Sequence, residues 1–283
     1  MKTYLGGTVA IDDISIDIEP GLFGLLGPNG AGKSTLMRTL ATLQLPDSGS
    51  VSLDGIDFLK SPRSARSLLG YLPQDMGVYP RVTARELLDY MASLKGLGSL
   101  KLRSELVNER LEKVNLISVA DQRLETYSGG MRKRFGIAAA LLGNPKLVIV
   151  DEPTAGLDPA ERRRFQLLLT ESAKDCVLIL SSHIVEDIAG LCQQMAIMKS
   201  GRFIKVGSPN ELISQLDRGV FEQSVSFNEF EEIQNQGPVL SWKPSVDSIC
   251  VRVLDSEYVD KTTWQQVEPT LEDVYAHCVQ GQS

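Results

Sequence analysis

Apolar side chains alternate with polar ones over residues 9–18, gather into an almost unbroken run over 22–26, and recur in a short run over 50–53. Short runs of this kind between turn residues predict strands. Behind Leu26 the spacing becomes helical, with Leu36, Met37, Leu40 and Leu43 on one face, and it stops at Pro46-Asp47-Ser48-Gly49. From about Thr83 to Asn144 the pattern stays helical. Thr83 and Glu86 have capping-box spacing, with Leu87, Leu88, Met91 and Leu94 behind them, and further helices are predicted over about 103–116 and 130–142.

Beyond this stretch, strands and helices alternate. Strands are predicted over 147–150, 177–180 and 195–198, and helices over 159–173 and 184–192. Such alternation predicts an α/β fold with a parallel sheet covered by helices. The helical middle, about residues 75–145, then reads as a subdomain inserted into that core. Gly207-Ser208-Pro209 reads as a hinge. Past it, residues 209–283 carry strand-like runs at 220–227, 239–242 and 249–254. A closing helix follows Pro269, with Thr270 as cap and Glu272 and Asp273 in its first turn. The expected organisation is a main domain over 1–208 and a small α+β accessory or regulatory domain over 209–283.

Composition narrows the classes. The chain has 283 residues, enough for one well-buried domain and an appendage. A net charge of −7 weighs against nucleic acid as a partner, since binders that neutralise phosphate are basic. No apolar run reaches the ~18–20 residues that cross a bilayer. The N-terminus lacks a signal-peptide core and soon meets Asp12 and Asp13. A cytoplasmic location is expected, with any membrane role supplied by a partner. Cys176, Cys192, Cys250 and Cys278 show no CxxC spacing and read as free thiols in a reducing compartment.

The chemistry lies where the first strand meets the first helix. Gly27-Pro28-Asn29-Gly30-Ala31-Gly32-Lys33-Ser34-Thr35 has phosphate-loop spacing between a strand and a helix. Its glycines let backbone N–H groups curl round phosphate oxygens, and the helix N-terminus adds positive potential. Lys33 suits the β- and γ-phosphates, Ser34 a Mg²⁺ ion, and Thr35 a neighbouring phosphate. Later, four apolar residues lead into Asp151 and Glu152. A buried strand there places Asp151 at its carboxyl end, where such sheets bind ligands, to hold Mg²⁺ directly or through water. Glu152, one residue on, is placed to polarise an attacking water. An Asn-Lys-x-Asp base-reading element, expected of a GTPase, is absent.

Between these motifs stands Tyr127-Ser128-Gly129-Gly130-Met131-Arg132, and together they resemble the ATP-binding cassette (ABC) ATPases from about Tyr4 to Gly207. The resemblance implies a P-loop NTPase core with an N-terminal antiparallel β subdomain. It implies that Tyr4 stacks on adenine, that Gln74 senses Mg²⁺ and the γ-phosphate, and that His183 contacts the γ-phosphate and orients the attacking water. Ala155-Gly156-Leu157-Asp158 is similar to the loop that runs between protomers. Ser128, Gly129 and Gly130 would reach the γ-phosphate bound to a second subunit, so ATP would be clamped in a homodimer or a heterodimer. Tyr127 and Met131 replace the more familiar leucine and glutamine, which removes one side-chain hydrogen bond to the partner's nucleotide. Integral membrane permease subunits would be the further partners, docking near residues 75–81. The ending from Val267 to Tyr275 resembles the tail of drug- and glycan-exporter ATPases. The alternative is a soluble ABC-type ATPase with no transporter attached.

Overall fold

The computed structural model describes residues 1–77, 79–237, 239–256 and 259–280. At its centre is a six-stranded sheet in the order Arg202–Gly207, Gln194–Lys199, Gly21–Leu26, Val177–Ser182, Leu147–Asp151, Leu69–Leu72. Five strands are parallel, and Arg202–Gly207 returns antiparallel along one edge.

Alternate residues of each strand feed two different cores, as the pleat requires. Leu22, Leu26, Val148, Val150, Leu178 and Leu180 face one side, where they join the helical subdomain. Phe23, Leu25, Leu147, Ile149, Val177 and Ile179 face the other, against Met37, Phe58 and Ala65. Burial on both faces is why these strands read as continuous apolar runs.

The helical subdomain consists of Ala84–Leu94, Leu100–Lys113 and Gly129–Ala140. The expected capping box is present. Glu86 N–H donates to Thr83 Oγ1 at 3.2 Å, and Thr83 N–H donates to the Glu86 carboxylate at 2.9 Å. Lys95, just past the first of these helices, donates to the carbonyls of Leu69 and Leu142 and so ties the subdomain to the edge of the sheet. Burial lowers its pKa.

Several sequence expectations need correction. Only Val9–Ile11 of the predicted 9–18 strand is paired, with Lys2–Thr3. Ile14, Ile16 and Ile18 pack on the core without a ladder. Of the 50–53 run, Ser52–Leu53 forms a hairpin with Ile56–Asp57. The N-terminal antiparallel β region is therefore two small sheets. The first helix is Lys33–Leu40, ending before Thr42, whose φ is +57°, and Leu43 is exposed. The helix predicted at 103–116 is Leu100–Lys113. The strand Leu69–Leu72 and the helix Pro62–Ser67 were not predicted, being too short to display a period.

At the predicted hinge, Ser208 caps a short helix, Pro209–Ser214, in a second capping box. Beyond it is a four-stranded antiparallel sheet ordered Val239–Pro244, Ile249–Leu254, Val220–Val225, Gln265–Val267. The helix Phe227–Gln236 packs on Ile249–Leu254, one of its inner strands. The closing helix, Leu271–Gln280, buries Leu271, Val274 and Cys278 in the main core. Asp273, fully buried at its start, accepts from the Thr270 N–H and hydroxyl and from Arg252 at 2.7 Å. This four-stranded sheet is thereby bonded to a helix that packs into the core on one side of the six-stranded sheet.

Candidate functional site

The loop after Gly21–Leu26 turns sharply into the helix Lys33–Leu40. Gly32 takes a φ of +105°, and a Cβ there would strike the Ala10 carbonyl. Only glycine fits that combination of backbone angle and close approach. Lys33 is 5% exposed, and its ammonium donates to the Gly27 carbonyl at 2.7 Å and the Pro28 carbonyl at 3.1 Å. Burial lowers its pKa, opposed by the charges of Glu152 and Asp151. Ser34 is exposed at the first turn. Tyr4 reaches the same helix: its hydroxyl lies 3.2 Å from Thr35 Oγ1 and donates to Gln44 Oε1 at 3.1 Å.

Across the sheet, Leu147–Asp151 and Val177–Ser182 lie in parallel register, with Asp151 opposite Ser181. Ser181 uses one hydroxyl for two acidic neighbours. It donates to Asp151 Oδ1 at 2.5 Å and accepts the Glu152 N–H at 3.0 Å. Glu152 itself sits at φ +43°, a left-handed conformation that costs a non-glycine residue on the order of 1–3 kcal/mol. That twist turns its carboxylate into the cluster of expected site residues. Glu152 Oε1 lies 3.7 Å from Lys33 Nζ. Its Oε2 accepts from Gln74 Nε2 at 3.2 Å and lies 3.3 Å from His183 Nδ1. Lys33, Gln74, Asp151, Glu152 and His183 thus converge on one place.

The oxygen donors there fit a magnesium ion. Asp151 is 4% exposed, and among the described residues its Oδ2 has no protein hydrogen bond. Ser34 is exposed on the phosphate-loop helix, and Gln74 is exposed and bonded to Glu152, the residue after Asp151. One buried carboxylate with neutral oxygens suits a hard cation that keeps waters and takes phosphate oxygens.

The Ser128, Gly129 and Gly130 group stands apart. Ser128 caps Gly129–Ala140, accepting the Met131 N–H at 3.2 Å, and Ser128 and Gly129 are exposed. Among the described residues, no hydrogen bond or ion pair joins this group to the phosphate loop of its own chain. Gly130 is buried against Glu161, which Arg134 holds at 2.9 Å, and Lys133 donates to the Ala155 carbonyl. The helix tip is therefore braced from behind, with its exposed N–H end turned outward. Tyr127 is buried, and its hydroxyl donates to the Val119 carbonyl at 2.8 Å.

Near the expected docking stretch, Tyr79 is 40% exposed, and Met76 packs on the core. Val78 lies outside the described residues. No helix among the described residues is long and apolar enough to cross a membrane. The four cysteines are free, and burial pushes the Cys192 thiol up to about 12.

Sequence reasoning missed Ser181, which bonds both acidic residues, and Glu161, which backs Gly130. The one available signal was a pair of serines closing an apolar strand, where side chains of that sheet would otherwise be hydrophobic.

Comparison with known proteins agrees with this architecture. The family model described as ABC transporter matches residues 11–155. The uncharacterized ABC transporter ATP-binding protein YxlF of Bacillus subtilis is 35% identical over 95% of this chain and 94% of its own length. That span takes in most of residues 209–283. The linearmycin resistance ATP-binding protein LnrL of Bacillus subtilis is 36% identical over 76% of this chain and 70% of its own. The Nod factor export ATP-binding protein I of Rhizobium etli is 36% identical over 76% and 68%. Among solved structures, cbiO1 from Clostridium perfringens, part of the ABC transporter complex cbiONQ, aligns with a TM-score of 0.68 at 28% identity, over 75% of this chain and 87% of that one. A bacterial ABC transporter cassette solved as a dimer aligns at 0.66 and 26% identity, over 73% and 95%. A family match across half the sequence, and a relative matched nearly end to end, lead to one conclusion: the chain belongs to the ABC transporter family, as an ATP-binding subunit.

Proposed function

We propose that this subunit hydrolyses Mg-ATP in a site completed by a second ATP-binding subunit, and that closure and opening of the pair drive separate membrane-spanning subunits. The observation that carries this reading is the outward-facing helix tip at Ser128, unconnected to the site its own chain builds. Its N–H groups and positive helix end suit an anion. A phosphate held by another chain's loop would supply one.

The roles proposed are those the family resemblance implies, and the observed contacts support them. Lys33 releases the loop carbonyls it holds and bonds the β- and γ-phosphates. Tyr4, anchored through Thr35 and Gln44, offers its ring to adenine. Ser34, Asp151 and Gln74 would hold Mg²⁺, which when bound neutralises phosphate charge. Glu152 accepts a proton from the attacking water, and His183 and Gln74, both on Oε2, orient that carboxylate and the water. Loss of the γ-phosphate removes the anion shared by the two chains, so the pair opens.

Transport in the outward direction is supported by relatives named for linearmycin resistance and Nod factor export. In this reading the subunit works on the cytoplasmic face of the membrane. The test is phosphate release by the purified protein with Mg²⁺ or with chelator, together with identification of the integral protein that co-purifies from native membranes. Magnesium-independent turnover, or recovery from the soluble fraction with no membrane protein attached, contradicts it. The second result would favour the soluble ABC-type ATPase.

A further inference from the structure

A buried carboxylate is bonded to residues that neighbour Glu152 and His183 in the chain. Asp187 is completely buried in the short helix Val185–Ala189, which begins two residues after His183. Its Oδ2 accepts from Thr154 Oγ1 at 2.6 Å and from Ser182 Oγ at 3.1 Å. Its Oδ1 accepts from Arg162 Nε at 2.7 Å. The Ser182 hydroxyl in turn accepts the Ile184 N–H at 2.9 Å.

The partners of this one side chain come from different segments of the site. Thr154 stands two residues beyond Glu152. Ser182 and Ile184 flank His183 on both sides. Arg162 belongs to Pro159–Ser172, the helix entered from Ala155-Gly156-Leu157-Asp158. An ion pair with one buried partner is weak evidence of net stability, and what these bonds do show is a shared geometry. A carboxylate that accepts three hydrogen bonds shared between both its oxygens has one resting orientation, and each donor is fixed by it.

We infer that Asp187 is a positioning residue for ATP hydrolysis, holding the chain after Glu152 and the chain around His183 in one register. This rests on the proposed roles of Glu152 and His183. Asp187 is fully buried, so any effect on the reacting atoms passes through other groups. It acts through the backbone on which both groups stand, and Arg162 extends the link to the loop expected to meet the second subunit. Small displacements matter in such a site: a shift of about 1 Å in a reacting group can cost 10²-fold in rate.

The experiment compares ATP affinity with turnover in the full-length protein. Thr154→Val removes one donor without stranding a charge. It should lower kcat about tenfold to a hundredfold with KM and calorimetric ATP affinity close to the parent's, and Thr154→Ser should recover most of the loss. Asp187→Asn should lower kcat at least as far. Because it strands Arg162, the paired Asp187→Asn, Arg162→Met variant is measured with it, and thermal melting reports the fold. Parental kcat in Thr154→Val and in a folded Asp187 variant overturns the inference. So does a parallel loss of ATP affinity and turnover. Glu152→Gln and His183→Ala serve as references: if they retain turnover, the underlying reading fails. If they lose it while the Asp187 variants keep it, the positioning role alone fails.

Discussion

Glu152 and Lys33 come from motifs far apart in the chain, yet their charged groups lie 3.7 Å apart, both largely buried. Lys33 holds two carbonyls of its own loop and neighbours the proposed base at the same time. The resting site is thus internally neutralised: the cation that would meet phosphate is already paired, and so is the carboxylate that would meet water. Nucleotide must exchange these contacts for its own.

That exchange makes Lys33 the determinant of affinity. Lys33→Ala removes a charge-assisted bond to phosphate and leaves Glu152 buried without its cation. ATP affinity should fall by at least a hundredfold, about 3 kcal/mol, in a calorimetric titration. Affinity within a few fold of the parent would remove Lys33 from the phosphate contact.

The proposed base is tested apart from binding. Glu152→Gln keeps the shape and the contact from Gln74 but cannot take a proton. Turnover should drop about 10²–10⁴-fold, as loss of general-base catalysis does, with ATP still bound. Turnover at the parental rate would assign the base elsewhere.

Much of this site could be read before any coordinates. Phosphate-loop spacing, the acidic pair after an apolar strand, and the signature run are local motifs, each carried by a few consecutive residues. The helical insertion and its capping box at Thr83 could be read because three turns of helix display their period. Tertiary geometry was not legible. The left-handed turn at Glu152 depends on Ser181 from another strand. The Asp187 network joins residues that no periodicity links. The strand Leu69–Leu72 is an edge of four residues. Past residue 209, the Arg252 bond to Asp273 joins the strand Ile249–Leu254 to the helix Leu271–Gln280 through one buried carboxylate, with no trace in hydropathy.

The departure at Tyr127 predicts a stability effect. The buried hydroxyl donates to Val119, so Tyr127→Phe strands a carbonyl and should cost about 1–3 kcal/mol in chemical denaturation, with nucleotide affinity unchanged. An unaltered denaturation midpoint would mean the bond contributes nothing.

A pH effect follows from Cys192, whose thiol burial raises from 9.0 to about 12. Between these values the unfolded chain loses the thiol proton and the folded chain keeps it, so the folded state binds more protons and stability falls as pH rises. The contribution is intact below pH 9 and is lost progressively toward about 12, at roughly 1.4 kcal/mol per pH unit. Urea melts at pH 8 and pH 10 should show a shallower decline for Cys192→Ala than for the parent. Equal slopes would contradict this.

The outward-facing tip at Ser128 carries the account, and sedimentation of the Glu152→Gln protein measures it most directly. With saturating Mg-ATP the variant should sediment as a dimer and without nucleotide as a monomer. Adding Ser128→Arg should abolish the dimer while ATP binding by each chain persists. A monomer at saturating ATP, or a dimer indifferent to Ser128→Arg, would contradict a site shared between two chains.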